Sequence, residues 1–168
     1  MYKRNLTLKN PKKTFFLWGP RQSGKSSLLK QEFPKAFFIN LLKSDEVLRY
    51  LESPALLREE CARLGPGTMV IIDEIQKVPG LLDEVHWLIE EKGIIFGLCG
   101  SSARKLKRGH ANLLGGRAKR HEMHGLIFSE LGDDFDLITI LNRGTLPAIY
   151  QEEDYKASLR SYVTDYLK

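Results

Sequence analysis

Residues 14–29 read TFFLWGPRQSGKSSLL, and the order of their parts decides the fold. Thr14–Trp18 is apolar without alternation, as in a strand covered on both faces, and Lys25–Phe33 has a helical pattern. Between them Gly19–Ser26 fits G-x-x-x-x-G-K-[ST]. At a junction of buried strand and helix start, Gly19 and Gly24 let the backbone wrap closely around an anion, with successive N–H groups turned inward at the positive end of a helix. Gly19, Pro20, Arg21, Gln22, Ser23, Gly24, Lys25, Ser26 and Ser27 are therefore the expected phosphate cradle. In it Lys25 reaches the β- and γ-phosphates of a nucleotide and the Ser26 hydroxyl ligates Mg²⁺.

Working outward, Ala36–Asn40, Met69–Asp73 and Ile94–Cys99 are further short apolar runs, and a weaker fifth strand is expected over Ala118–Met123. Helical patterns fill the gaps. One covers Asp45–Leu51. Another starts with Ser53 as N-cap and Pro54 in its first turn, carrying Leu57, Cys61 and Leu64 on one face. Pro79 opens a third, in which Leu81, Val85 and Leu88 form the apolar face and Gly93 is the stop. Strands alternating with helices predict an α/β fold, a doubly wound parallel sheet with ligands at the carboxyl ends of its strands.

The segment MVIIDEIQ, residues 69–76, supplies the second half of a nucleotide site. Asp73, at the end of an apolar strand, suits the Mg²⁺ shell, and Glu74 beside it suits a base that deprotonates water for attack on a γ-phosphate. In IIFGLCGSS, residues 94–102, Ser101 or Ser102 stands where a polar residue at a strand tip senses that phosphate. Ser101 is the favoured one, and a serine there equally suits a helix N-cap before ARKL. In NLLGGRAKR, residues 112–120, a glycine pair presents Arg117 just before the fifth strand, the place of an arginine finger for a neighbouring subunit. A structural ion pair and a nucleic-acid contact are the other readings of Arg117.

Length and composition agree with one ordinary domain: 168 residues, 42% hydrophobic and 28% charged. The N-terminal MYKRNLTLKNPKKT has no apolar core of a signal peptide, and no run is long enough for a membrane span, which predicts a cytoplasmic protein without a membrane partner. Cys61 and Cys99 lie in apolar surroundings without metal-ligand spacing and are expected as reduced, buried thiols. The net charge of +5 is lopsided. Lys92–His121 has eight Lys and Arg and no acid, leaving −3 for the rest. That block is either solvated surface or a contact for phosphates, and its span 104–120, with Arg104, Lys105, Lys107 and Arg108, sets up the alternative of an ATP-responsive nucleic-acid-binding regulator. Neither a helix-turn-helix nor interleaved aromatics accompanies it. A small-molecule kinase is disfavoured because Glu74 favours water as acceptor, and no guanine-reading NKxD element follows the fourth strand.

GPRQSGKSSLL, DEIQKVPGLLDEVHWLI, GSSARKL, NLLGGRA and GTLPAIY, in this order, resemble the bacterial and archaeal AAA-type ATPases that join an N-terminal AAA domain to a C-terminal domain of unknown function. The resemblance spans nearly the whole chain. It implies a P-loop fold of the ASCE/AAA type with strand order 5-1-4-3-2, Mg-dependent binding of ATP, its hydrolysis, and action as a switch or motor. It places phosphate binding on Gly19–Ser27, metal coordination on Asp73 and the catalytic base on Glu74, with Ser101 and Arg117 as further catalytic residues, beside the Lys25 and Ser26 roles that the loop motif itself gives. Residues 1–150 correspond to the AAA domain. Residues 151–168 are expected to be a helix leading toward a second domain, because family members continue where this chain stops at SLRSYVTDYLK. The apolar face of that helix, with Tyr155, Leu159, Tyr162 and Tyr166, is expected to meet that domain or a partner protein, and a homo-oligomer is the setting in which Arg117 acts.

Overall fold

The computed structural model describes residues 2–8, 11–101 and 114–167. Five parallel strands, β1 (Phe15–Trp18), β2 (Phe37–Asn40), β3 (Met69–Asp73), β4 (Ile95–Gly100) and β5 (Lys119–Glu122), lie in the order β2-β3-β4-β1-β5. This is the expected 5-1-4-3-2 order. Ser102 and the cations Arg104–Arg108 lie outside the described residues.

Alternation along the inner strands sorts the core onto two faces. On one face Phe16, Trp18, Val70, Ile72, Phe96 and Leu98 pack with Tyr50, Leu57, Leu81, Val85 and Leu88. These come from α2 (Ser44–Glu52), α3 (Leu56–Glu60) and α4 (Leu81–Lys92). On the other face Phe15, Leu17, Ile71 and Cys99 pack with Leu28 and Leu29 of α1 (Lys25–Glu32). Both faces being covered explains why these strands are continuous apolar runs. β5, an edge strand with sequence KRHE, is polar.

α4 has the start and stop its sequence announces: Asp83 and Glu84 in the first turn, Lys92 in the last, and Gly93 left-handed at φ 63°. The expected long helix from Ser53 is corrected. Ser53 closes α2, α3 spans only Leu56–Glu60, and the chain leaves it in tight turns, with Ala62 N–H bonded to the Glu59 carbonyl and Leu64 N–H to that of Cys61. Gly65-Pro66-Gly67 blocks further helix, and Leu57 in the short one and Cys61 at its cap are already buried.

After β5 come four short helices: α5 (Phe128–Leu131), α6 (Leu137–Arg143), α7 (Pro147–Tyr150) and α8 (Tyr155–Tyr162). The first three contribute to a separate cluster of Leu126, Leu131 and Tyr150, with Tyr2 and Ile140 against it. Among the described residues no helix is long and apolar enough to cross a membrane.

Candidate functional site

The loop Gly19–Gly24 joins the carboxyl end of β1, which lies between β4 and the edge strand β5, to α1. Gly19, Gly24 and the non-glycine Gln22 all have positive φ, at 155°, 92° and 61°. Gly19 has a second reason to lack a side chain: a Cβ there would lie 1.9 Å from the Met123 carbonyl oxygen at the end of β5. Inside the loop Ser23 is fully buried, and its hydroxyl donates to the Pro20 carbonyl at 2.9 Å. Lys25, only 6% exposed, turns its Nζ back onto the Gly19 and Pro20 carbonyls at 2.9 and 2.7 Å. Burial lowers its pKa, opposed by Cys99, Glu74 and Asp73 nearby.

β3 brings the carboxylates to the same place. The Ser26 hydroxyl donates to Asp73 Oδ2 at 2.5 Å, while Asp73 Oδ1 is buried without a hydrogen-bond partner. Glu74 follows in the left-handed region, at φ 61° and ψ 41°, an uncommon state for a residue with a Cβ and one that clusters at functional sites. Gln76, in the turn Ile75–Lys77, donates from Nε2 to Glu74 Oε2 and, at 3.3 Å, to the Ser101 hydroxyl. Ser101 in turn donates to Glu74 Oε2 at 3.5 Å. It reaches Glu74 because β4, which it follows, lies between β3 and β1.

These residues border a cavity of about 450 Å³ lined by Arg21, Gln22, Gly24, Lys25, Ser26, Ser27, Leu42, Glu74 and Lys77. A second cavity, about 390 Å³, adjoins the other side of the loop and is lined by Tyr2, Arg4, Gln22, Ser23, Gly24, Ser27, Met123, Pro147, Ala148 and Gln151. The donor set fits Mg²⁺: one hydroxyl, one carboxylate with an unsatisfied buried oxygen, and open space for phosphate and water oxygens. Among the described residues no group of three or more His, Cys, Asp or Glu forms a metal cage. Mg²⁺ needs none, since it ordinarily combines one or two protein ligands with phosphates and water.

Arg117 stands apart. It lies two residues before β5, and the register Phe15↔Lys119 puts it at the amino end of the sheet, away from the loop that follows Trp18. Its Nε pairs with Glu90 of α4, which holds the Glu90 carboxyl below its usual pKa. Arg120 pairs with Glu122 at 2.7 Å, so two cations of the basic block are matched by acids. A cavity of about 530 Å³ opens at this end, beside Lys12, Lys13 and Arg117.

Sequence reasoning missed four participants. Arg4, through Nη1 and Nη2, donates to the Ser23 carbonyl at 2.6 Å and the His124 carbonyl at 2.8 Å, and it ion-pairs with Glu130 at 3.0 Å. Tyr162 of α8 donates to the Arg21 carbonyl at 3.4 Å. Cys99, a free buried thiol, lies beside Asp73, and burial pushes its pKa well up. Gln76 was legible only as part of a motif. Arg4 and Tyr162 touch the site from distant parts of the chain, without a local signal, whereas Cys99, expected as a buried thiol, lies two residues before Ser101 on the strand already read as part of the site.

The family model described as AAA domain matches residues 11–132. Among solved structures, the Walker-type ATPase of Pyrococcus abyssi superposes with a TM-score of 0.54 at 12% identity, over 90% of this chain and 67% of that one, a likeness of fold. No curated protein matches the chain.

Proposed function

Because the chain belongs to the AAA domain family, we propose that it binds ATP with Mg²⁺ and hydrolyses it, as an AAA-type ATPase working as a switch or motor. The observation that carries this reading is the juxtaposition at the strand tips. Ser26 and Asp73 share a hydrogen bond, Asp73 Oδ1 has no partner, and Glu74 stands next to them over the loop cavity.

In this mechanism the loop N–H groups and the start of α1 bind the phosphates. Lys25 exchanges its carbonyl partners at Gly19 and Pro20 for phosphate oxygens. Ser26 and Asp73 hold Mg²⁺, which when bound neutralises charge on the β- and γ-phosphates. Glu74 takes a proton from water as the water oxygen bonds to the γ-phosphorus and the bond from that phosphorus to the bridging oxygen breaks, giving ADP and phosphate. Ser101 orients that water. The cavity beside Tyr2, Met123 and Pro147 receives the base and ribose, as its position on the far side of Ser23 and Gly24 suits. Arg117, at the other end of the sheet, serves only a neighbouring copy, and only once released from Glu90. A switch role draws support from two links between the loop and the C-terminal helices: Arg4, which holds the Ser23 carbonyl and pairs with Glu130, and Tyr162 with the Arg21 carbonyl.

Calorimetric titration with ATP tests the pocket. The wild-type chain is expected to bind ATP with Mg²⁺ and to lose affinity when EDTA removes the metal. Lys25→Ala is expected to bind at least tenfold more weakly, the equivalent of about 1.4 kcal/mol. Equal affinity in wild type and Lys25→Ala would place the nucleotide elsewhere.

A further inference from the structure

The geometry points to Gln76 as a positioning residue that fixes the Glu74 carboxylate for proton abstraction, an inference that rests on the hydrolytic reading above. Gln76 Nε2 and the Ser101 hydroxyl both donate to the same oxygen, Glu74 Oε2. The rotation of the carboxylate is thereby set, and Oε1 is the oxygen left to take a proton from water. Gln76 also donates to Ser101 at 3.3 Å, so one amide aligns both the base and the hydroxyl at the tip of β4.

The fold makes room for this amide at some cost. A Cβ on Gly100 would lie 2.1 Å from Gln76 Oε1 and 2.6 Å from Trp18 Cζ3, so the amide rests against the bare backbone at the end of β4. Its own oxygen, Oε1, is buried without a hydrogen-bond partner, an arrangement unfavourable in itself. Packing alone would favour an apolar side chain at this place. What the amide supplies, and a leucine or methionine does not, is the donor on Glu74. The turn Ile75–Lys77, closed by the Lys77 N–H on the Glu74 carbonyl at 2.9 Å, is what lets a side chain two positions along reach back to the base.

The test is steady-state ATP hydrolysis by the full chain with Mg²⁺, from pH 5 to 9, for wild type, Glu74→Gln, Gln76→Ala, Gln76→Met and Gln76→Glu, with ATP affinity measured alongside. Gln76→Met keeps the volume and removes the donor, and stands in should the alanine variant fail to fold. Both are expected to lose about 10- to 100-fold in kcat with ATP affinity unchanged, as for groups that orient a reacting residue. Gln76→Glu puts a second carboxylate on Glu74, with Asp73, Lys25 and Lys77 as the other charges around it. This variant keeps the size and polarity but removes the donor, so kcat falls as in Gln76→Met while ATP affinity is unchanged, a split of turnover from binding that a purely structural role would not produce. Unchanged or raised kcat in Gln76→Met, or ATP affinity falling in step with kcat, would overturn the assignment. Turnover in wild type, its loss in Glu74→Gln and normal rates in the Gln76 variants would sink the Gln76 role alone. A wild-type chain that binds ATP and releases no phosphate would sink the hydrolytic reading and this one together.

Discussion

Gly97, in the middle of β4, shows how tightly single residues are specified away from the site. A Cβ there would meet Ile71 Cδ1 at 2.5 Å and Phe15 Cζ at 2.8 Å, both side chains buried in the core. Gly97→Ala is expected to lower the unfolding free energy by about 1–3 kcal/mol, the usual cost of overpacking, read from urea denaturation. A variant as stable as wild type would mean that the core yields. At this scale the sequence is most readable where chemistry and chain order coincide. The loop Gly19–Ser27 and the pair Asp73–Glu74 are contiguous, so their spacing alone announces a phosphate cradle and two carboxylates. Ser101 is the favoured one of two serines; it meets Glu74 at the tip of β4, and Ser102 lies outside the described residues. The partnership of Gln76 with Glu74 was hidden, because side chains two apart meet only if the backbone turns, and Glu74 adopts the uncommon φ of 61° that begins that turn.

Among elements, the strands were legible to within a residue or so because a sheet covered on both faces needs unbroken apolar runs. α3 was overestimated, since an i, i+4 pair satisfies burial without the turn that would have carried Leu64. The N-terminal segment was not legible as an element at all, yet Arg4 fastens it to the phosphate loop and to α5. Its side chain and that of Glu130 are 8% and 4% exposed. Removing one partner of a buried pair leaves the other charge uncompensated, at a cost of about 3–5 kcal/mol. Arg4→Met is thus expected to destabilise the chain by about 3 kcal/mol in chemical denaturation, with part of the loss recovered in Arg4→Met/Glu130→Gln. A single variant within about 1 kcal/mol of wild type would show that water replaces the pair. The last helix was expected to present an apolar face with Tyr155, Leu159, Tyr162 and Tyr166. The Tyr162 hydroxyl also donates to the Arg21 carbonyl, a contact 141 residues apart in sequence that no periodicity reveals.

Across the whole molecule, the parallel sheet separates two chemistries. Its carboxyl end collects the loop, Asp73, Glu74, Gln76 and Ser101, with cavities on both sides of α1. Its amino end carries Arg117, tied to Glu90, and the cationic cavity beside Lys12 and Lys13. The order β2-β3-β4-β1-β5 is what places the tip of β4 between the phosphate loop and the carboxylates, so the fold itself assembles the site. The most direct measurement is phosphate release from ATP and Mg²⁺, wild type against Glu74→Gln at equal protein concentration, with ATP affinity determined for both. Turnover in wild type is expected, with a loss of about 10²- to 10⁴-fold in Glu74→Gln, as for removal of a general base, and unchanged affinity. Equal release from both proteins, or binding lost together with release, would contradict the role given to Glu74.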